Sequence, residues 1–528
     1  MPSEAETLEI RWVLCDRIDR LAALMGISTL NGNHSISSRR EARDNLHAEV
    51  GVLRALLSPS RKLAPELVAR IFIYCVPVQE LRESAFRANE APLLVAQICR
   101  GWRQVALSTP HLWTRMAICL PLGRLPPPAW TTAITNAAST YLTWISRSGG
   151  HKLHIAIQHV PSVDSNNSYR FSQVWRPAAT DLVSTLVRHH GSRIETLSLS
   201  LPVPCASSLL HANCPSLRNL SIIDDGLCGP RESQESVQAI PTGIHLAGQL
   251  RVLILDTPPL DLQMVHYPWD QLTVLRFGPD FCVSLPDAFA LLRICQLLET
   301  FIISIDPAEG IVVYEALVAP ALRELRVYEG PDPDDSGAFF GAISAPNLEK
   351  LVIGQEYHQG SLLDFVGKLS QPLLSLRFYN TWNWGVTEND LCAVLELIPS
   401  LVELSTVIPC HGSLFDALLP GYGHAPLCPR LESLAIRVHS LANDKLVRLL
   451  DARCRSAFRD NGITQLKKIR IAFVDLAPRA ESWVWNDAAW MQKVDQWRRE
   501  GIDLDVQDSN LYKRGGGFAG QFEEDNWD

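Results

Sequence analysis

A short apolar phrase recurs through the second two thirds of the chain and constrains the fold more than any other feature. It reads Leu-x-x-Leu-x-(Leu/Ile/Val/Phe). It appears as RIETLSL at 193–199, SLRNLSI at 216–222, QLRVLIL at 249–255, QLTVLRF at 271–277, LLETFII at 297–303 and ALRELRV at 321–327. It continues as NLEKLVI at 347–353, LLSLRF at 373–378, RLESLAI at 430–436 and QLKKIRI at 465–471, with a weaker copy, SLVELST, at 400–406. Successive copies lie about 22 to 35 residues apart. The last two apolar positions, Leu253 and Leu255 for example, are two residues apart. In a strand they face one side and define an inner column. Five copies carry a proline two residues before the first leucine: Pro215, Pro320, Pro346, Pro399 and Pro429. Proline cannot continue a helix and pushes its predecessor towards extended backbone, so it marks a helix-to-strand switch. Helix-like stretches fill the intervals at 287–298, 362–369, 388–398 and 443–458. One strand and one returning helix cannot bury these leucines alone, so the copies must stack.

The predicted class is therefore α/β, with all-helical segments ahead of a strand–helix solenoid over 151–510. A first strand is expected at 152–158. The far end is expected to be capped by a helix bearing Trp490, Val494 and Trp497 and by a strand at 502–506. Residues 511–528 carry three consecutive glycines and read as a disordered tail.

Ahead of the repeats, Leu14, Ile18, Leu21 and Met25 share one helical stripe, and Leu46, Val50, Leu53 and Leu57 share another. Asn31-Gly32-Asn33 separates the two. The spacing fits a helical hairpin over 1–58 and leaves a short intermolecular coiled coil open. A Pro-rich connector (Pro126-Pro127-Pro128) and a helix at 133–146 occupy 119–150.

Residues 59–118 form a compact helical segment. Pro65 suits the first helical position and Glu66 the positive helix start. Leu67, Val68, Ile71, Phe72 and Cys75 make a broad apolar face. Pro77 ends that helix, and one longer helix is expected to carry Leu94, Ile98, Trp102 and Val105 on a stripe. Leu112 and Trp113 follow Pro110. So much apolar surface on so small a segment points either to a partner site or to cover from the hairpin and repeats.

This segment resembles an F-box, particularly the F-box-like domains of a large fungal family whose members continue into irregular leucine-rich repeats. The likeness rests on Leu63, Pro65, Glu66, Leu67, Ile71 and Phe72, then on Ile98, Cys99, Trp102, Arg103, Val105, Ala106, Pro110, Leu112 and Trp113. Ala64 departs from the pattern, as does the long, charged link 78–91. The repeats resemble leucine-rich repeats but lack the Asn or Cys expected after each strand, so an irregular arc is expected. The resemblance implies a substrate-recruiting subunit of a cullin–RING ubiquitin ligase. Leu63, Pro65, Leu67, Ile71, Phe72, Ile98 and Trp102 would dock a Skp-type adaptor, and the repeats would hold a protein substrate. A repeat scaffold without a ligase role is the alternative. Either way the chain would do no chemistry itself and would act by raising effective concentration.

Composition narrows the rest. The formal net charge is −9, with no run of Lys or Arg, which argues against a nucleic-acid surface. The start of the chain lacks a signal-peptide pattern, and no apolar run is long enough to span a bilayer. Thirteen cysteines, none in a Cys-x-x-Cys pair, with Cys75, Cys99, Cys295 and Cys392 in apolar runs, read as buried thiols of a reducing compartment. A cytoplasmic or nuclear home is expected, with no membrane and no nucleic acid.

No cofactor or metal is expected. Asp332 to Gly337 imitates an EF-hand start, but Ile343 stands where the bidentate Glu belongs, so a solvated turn is expected. His151, His154 and His159, like His189 and His190, lack zinc-site spacing. No phosphate-binding loop or catalytic-nucleophile signature appears. Tyr379, Trp382 and Trp384 form the richest aromatic cluster between repeats, and are either rim packing or a substrate anchor.

Overall fold

The computed structural model describes residues 3–26, 33–57, 63–76, 88–120, 127–159, 168–202, 205–206, 209, 213–224, 247–256, 267–278, 282–306, 315–328, 333–354, 359–378, 387–419, 426–439, 443–454, 463–474 and 488–508. Contacts separate two units. The first is Met1–Glu80, Ser84–Arg115 and Thr143–His151; the second is Leu81–Glu83, Met116–Leu142 and Lys152–Asp528.

In the first unit, helices α1 (Glu4–Gly26) and α2 (Asn33–Leu57) pack on one another. Leu21 and Val50 are buried, and Arg17 pairs with Glu49 at 2.8 Å. Helix α3 (Pro65–Cys75) starts on its proline, as expected. The single longer helix expected next is instead two, α4 (Leu93–Ile98) and α5 (Arg100–Leu107). Cys99 breaks them with extended backbone (φ −156°), and its Sγ accepts from the Trp102 amide at 3.4 Å as an N-cap. A thiol is an unusual cap, so no residue preference announces this start. Pro110–Trp113 forms a 3₁₀ turn.

The second unit is built on one 15-stranded sheet. Its strands are β1 (Arg115–Leu120), β2 (Leu153–His159), β3 (Ile194–Ser200), β4 (Asn219–Ile223), β5 (Val252–Asp256), β6 (Val274–Phe277), β7 (Cys282–Ser284) and β8 (Thr300–Asp306). After β9 (Leu317–Val318) come β10 (Glu324–Tyr328), β11 (Ile343–Ser344), β12 (Lys350–Gly354), β13 (Ser375–Phe378) and β14 (Glu403–Cys410). The last are β15 (Ser433–His439), β16 (Lys468–Val474) and β17 (Asp503–Asp508). Short β9 and β11 pair apart, β7 flanks β8, and the remainder run side by side in chain order. From β2 to β17 each resolved pairing of neighbours is parallel. Parallel neighbours need a crossover between them, and the intervals supply it, eight with helices, at 168–190, 285–294, 333–342, 359–367, 388–396, 413–418, 443–454 and 488–499.

Every copy of the phrase ends in a strand, including the weak one at 400–406. The inner column is continuous: Leu220 lies beside Leu253, Leu253 beside Leu275, and Leu325 beside Leu351. All five are at most 1% exposed. Burying one leucine is worth roughly 2 kcal/mol, so stacking is what stabilises each unit. The prolines act at a turn. Leu217, Leu322, Leu348, Leu401 and Leu431 each donate their amide to the carbonyl three residues back, placing proline at the second turn position. The weak copy puts Thr406 in the column, and β14 shifts register between Thr406 and Pro409.

The sheet reaches further than the phrase. It starts at β1, in a stretch read as the end of the helical segment, where Met116, Ala117 and Ile118 are buried. The helix Ser168–His190 precedes β3 and buries Ala179, Leu182, Val183, Leu186 and Val187 at helical spacing, a stripe that lies outside the leucine phrase. Asp332–Gly337, read as a turn, instead enters the helix Pro333–Ala342. Phe339 and Phe340 on that helix are fully buried, and rings stack from Phe289 through Phe339 and Phe340 to Phe365 at 5.3–5.7 Å. At the far end Trp490, Val494 and Trp497 are buried, with β17 as the last strand. The tail 511–528 lies outside the described residues.

Candidate functional site

Two surfaces stand out, one in each unit. In the first unit α5 packs against both α3 and α4. Phe72 of α3 meets Trp102 of α5 edge-on at 5.1 Å, and Val68 is buried beside it in sequence register. Arg103 Nε donates to the Ala96 carbonyl at 2.8 Å, tying α5 to α4. Trp113 Nε1 donates to the Ala106 carbonyl at 2.9 Å, and the Arg147 guanidinium lies 4.7 Å over the Trp113 ring. Val68 and Phe72 use one side of α3.

The other side of α3 is left open. Leu67 is 51% exposed, Ile71 46% and Tyr74 82%, at helical spacing along one stripe. Leu63 and Pro65 are exposed at its start, and Ile98 on α4 is 56% exposed. The seven residues singled out in the sequence thus divide. Leu63, Pro65, Leu67, Ile71 and Ile98 face solvent, Trp102 is half-buried, and Phe72 is 1% exposed and supports the others from within. The aromatic trio Tyr379, Trp382 and Trp384 lies outside the described residues.

In the second unit the outer face of the sheet carries a pattern that reading the leucines missed. Arg276, Ile302, Arg326, Val352 and Arg377 stand side by side on adjacent strands. They occupy the x of each Leu-x-Leu, so a column of x positions would have revealed them. Arg326 pairs with Glu324 at 2.7 Å and Arg377 with Glu403 at 2.7 Å. Further along, Arg470 grips Asp503 at 3.0 Å and holds its carboxyl below the usual range. An open groove of about 430 Å³ at the strand starts is lined by Glu299, Arg323, Glu349 and Gln371 among others.

Thiol chemistry is muted. Burial pushes Cys214 up to about 11, Cys295, Cys428 and Cys454 to about 12, and Cys410 well above its ordinary value. A thiol so raised stays protonated and is a poor nucleophile near neutral pH. Cys75 departs from the expected burial and is exposed. Among the described residues no three His, Cys, Asp or Glu side chains gather as a metal site, and no helix is long and apolar enough to cross a membrane.

The second unit is a leucine-rich-repeat-like solenoid of parallel strands and returning helices. No family model matches the chain, and no curated protein matches it. Among solved structures it is similar to the leucine-rich repeat-containing protein LegL7 from Legionella pneumophila. That match spans 72% of this chain and 96% of the other, at 13% identity and a TM-score of 0.29. A score that low carries no argument, and the fold stands on the sheet and its register.

Proposed function

We propose that this chain is a two-ended protein adaptor. In this reading α3 to α5 dock a Skp-type adaptor of a cullin–RING ubiquitin ligase, and the solenoid holds the substrate. One observation carries it. The stripe Leu67, Ile71 and Tyr74 is exposed while Phe72 and Val68, on the same short helix, are spent on the core. A helix that secures itself with one face and offers apolar residues on the other is built to be covered. The F-box-like motif supplies the partner's kind.

Co-purification of the full chain with a Skp-type adaptor tests this. Wild type should retain the adaptor, and Leu67→Asp and Ile98→Asp should release it while thermal melting stays unchanged, since both side chains are already exposed. A well-folded wild type that retains none sinks the ligase reading. The plain repeat scaffold would then stand.

A further inference from the structure

We infer that the outward face of α1 docks a helix of a partner protein, one with an apolar heptad seam flanked by lysine or arginine. The face is separate from α3, and the inference stands without the ligase reading.

Spacing is the first ground. Helix α1 spends one stripe on α2, with Leu21 buried and Leu14 and Ile18 half-buried. A second stripe runs along the same helix through Ala5, Leu8, Trp12, Cys15, Asp19 and Ala22. Its steps alternate between three and four residues, the spacing of a coiled-coil seam. All six residues are exposed, Leu8 at 62% and Trp12 at 74%. A leucine and a tryptophan one turn apart are apolar anchors of the kind a partner helix buries.

Charge says which kind of helix. Asp19 lies in the seam and Glu9 beside it, and neither carboxylate has a partner among the described residues. Asp16, on the same border as Glu9, is already held by Arg17 and Arg20 at 3.2 and 3.1 Å. Glu4 and Arg11 line the other border and offset one another. The charge left on the face is that of Glu9 and Asp19, and it is negative.

A second copy of this chain does not suit the face. In a parallel, in-register pair, Asp19 of one copy would face Asp19 of the other, and Glu4 would face Glu9. In an antiparallel pair that sets Trp12 over Leu8, Glu9 would meet Glu9 and Arg11 would meet Arg11. Flanking charges set partner choice in helix pairs, and like charges reject a partner. Lysine or arginine opposite Glu9 and Asp19 removes the conflict and forms charge-assisted hydrogen bonds.

Fluorescence anisotropy of two labelled heptad peptides against the full chain tests the inference. Both carry leucine in the seam. One has lysine at the flanking positions and at one seam position, and the other has glutamate at the same places. The lysine peptide should bind, and the glutamate peptide about tenfold more weakly or worse. Trp12→Ala should weaken the lysine peptide about tenfold. Glu9→Lys with Asp19→Lys should reverse the preference between the peptides. These side chains are exposed, so melting should not move. Sedimentation of the chain alone should give a monomer. The inference is overturned if the lysine peptide does not bind, if the two peptides bind alike, or if Trp12→Ala leaves binding unchanged. A dimer that Trp12→Ala dissolves also overturns it, since a second copy would then be the occupant. No variant touches α3, so failure here and failure of the ligase reading are separate outcomes.

Discussion

The guanidinium of Arg453 donates to the carbonyl of Cys428 at 3.2 Å, and Cys428 is the one described non-glycine residue with a positive φ, +48°. Arg453 is 2% exposed and also donates to the carbonyls of Leu431 and Leu418. Cys428 and Leu431 open and close the turn that leads into β15. A left-handed residue other than glycine costs roughly 1 kcal/mol, and a buried cation bridging three carbonyls offsets that cost. Arg453→Met keeps most of the volume and removes the donors. It should lower stability by about 2 kcal/mol or more, read as a lower urea midpoint. Arg453→Lys should recover some of the loss, and equal midpoints for wild type and Arg453→Met would refute the bridge.

Glu388 has a comparable role in the preceding repeat. It is 8% exposed, and its carboxylate accepts from the amides of His411, Gly412 and Leu414 at 2.7–3.1 Å. Those amides lead into the helix Ser413–Leu418, whose first N–H groups have no partner within the helix. Glu388→Ala should cost about 2–4 kcal/mol, because two buried donors and one part-buried donor lose their acceptor at once. Hydrogen exchange should show the loss locally, as faster exchange over 411–418. Exchange that rises uniformly across the solenoid would mean that the carboxylate is not a local clamp.

Much of the solenoid is legible in the sequence because its stability is periodic. The inner column needs an apolar residue at fixed offsets in every repeat, so the phrase and the strand coincide. Elements without that constraint escape. Strand β1 has no leucine phrase, because it extends the sheet ahead of the first repeat. The turn expected at Asp332–Gly337 has the composition of a turn, yet Pro333 with Asp334 and Asp335 is equally a helix start. Burial of Phe339 and Phe340 decides between them. Sequence identified the apolar stretch 63–75 but not which half would be spent inside. That split depends on Trp102, which reaches Phe72 only because Cys99 turns the chain. The arginine row escaped because x positions have no pattern along the chain and acquire one only across strands.

Glycine supplies a sharper contrast. A Cβ on Gly191 would lie 2.7 Å from the Asn213 carbonyl oxygen, a rigid backbone atom. Gly191 is buried at the turn that feeds β3. Gly191→Ala should therefore destabilise by roughly 1–3 kcal/mol through forced displacement. Gly150, in contrast, has nothing within 4 Å of the same position. Gly150→Ala should be neutral or slightly stabilising, since it only restricts the unfolded chain. Melting temperatures of the two variants should separate by several degrees. If they melt together, the close approach at Gly191 is relieved by movement and does not constrain the repeat.

The buried thiols make the stability of the solenoid depend on alkaline pH. An ordinary thiol titrates near 9, whereas Cys214 and Cys392 are raised to about 11 and Cys295, Cys428 and Cys454 to about 12. Desolvation is the main cause at each, since burial penalises the thiolate. Above pH 9 the unfolded chain releases these protons while the folded chain keeps them. Their contribution is therefore complete below pH 9 and is lost progressively as pH rises towards 12. The melting temperature should fall steadily over that interval. Cys295→Ala with Cys454→Ala removes two of the raised groups and should flatten the fall, at some cost to stability at neutral pH. A slope identical to that of wild type would show that other groups, and not the thiols, set the alkaline limit.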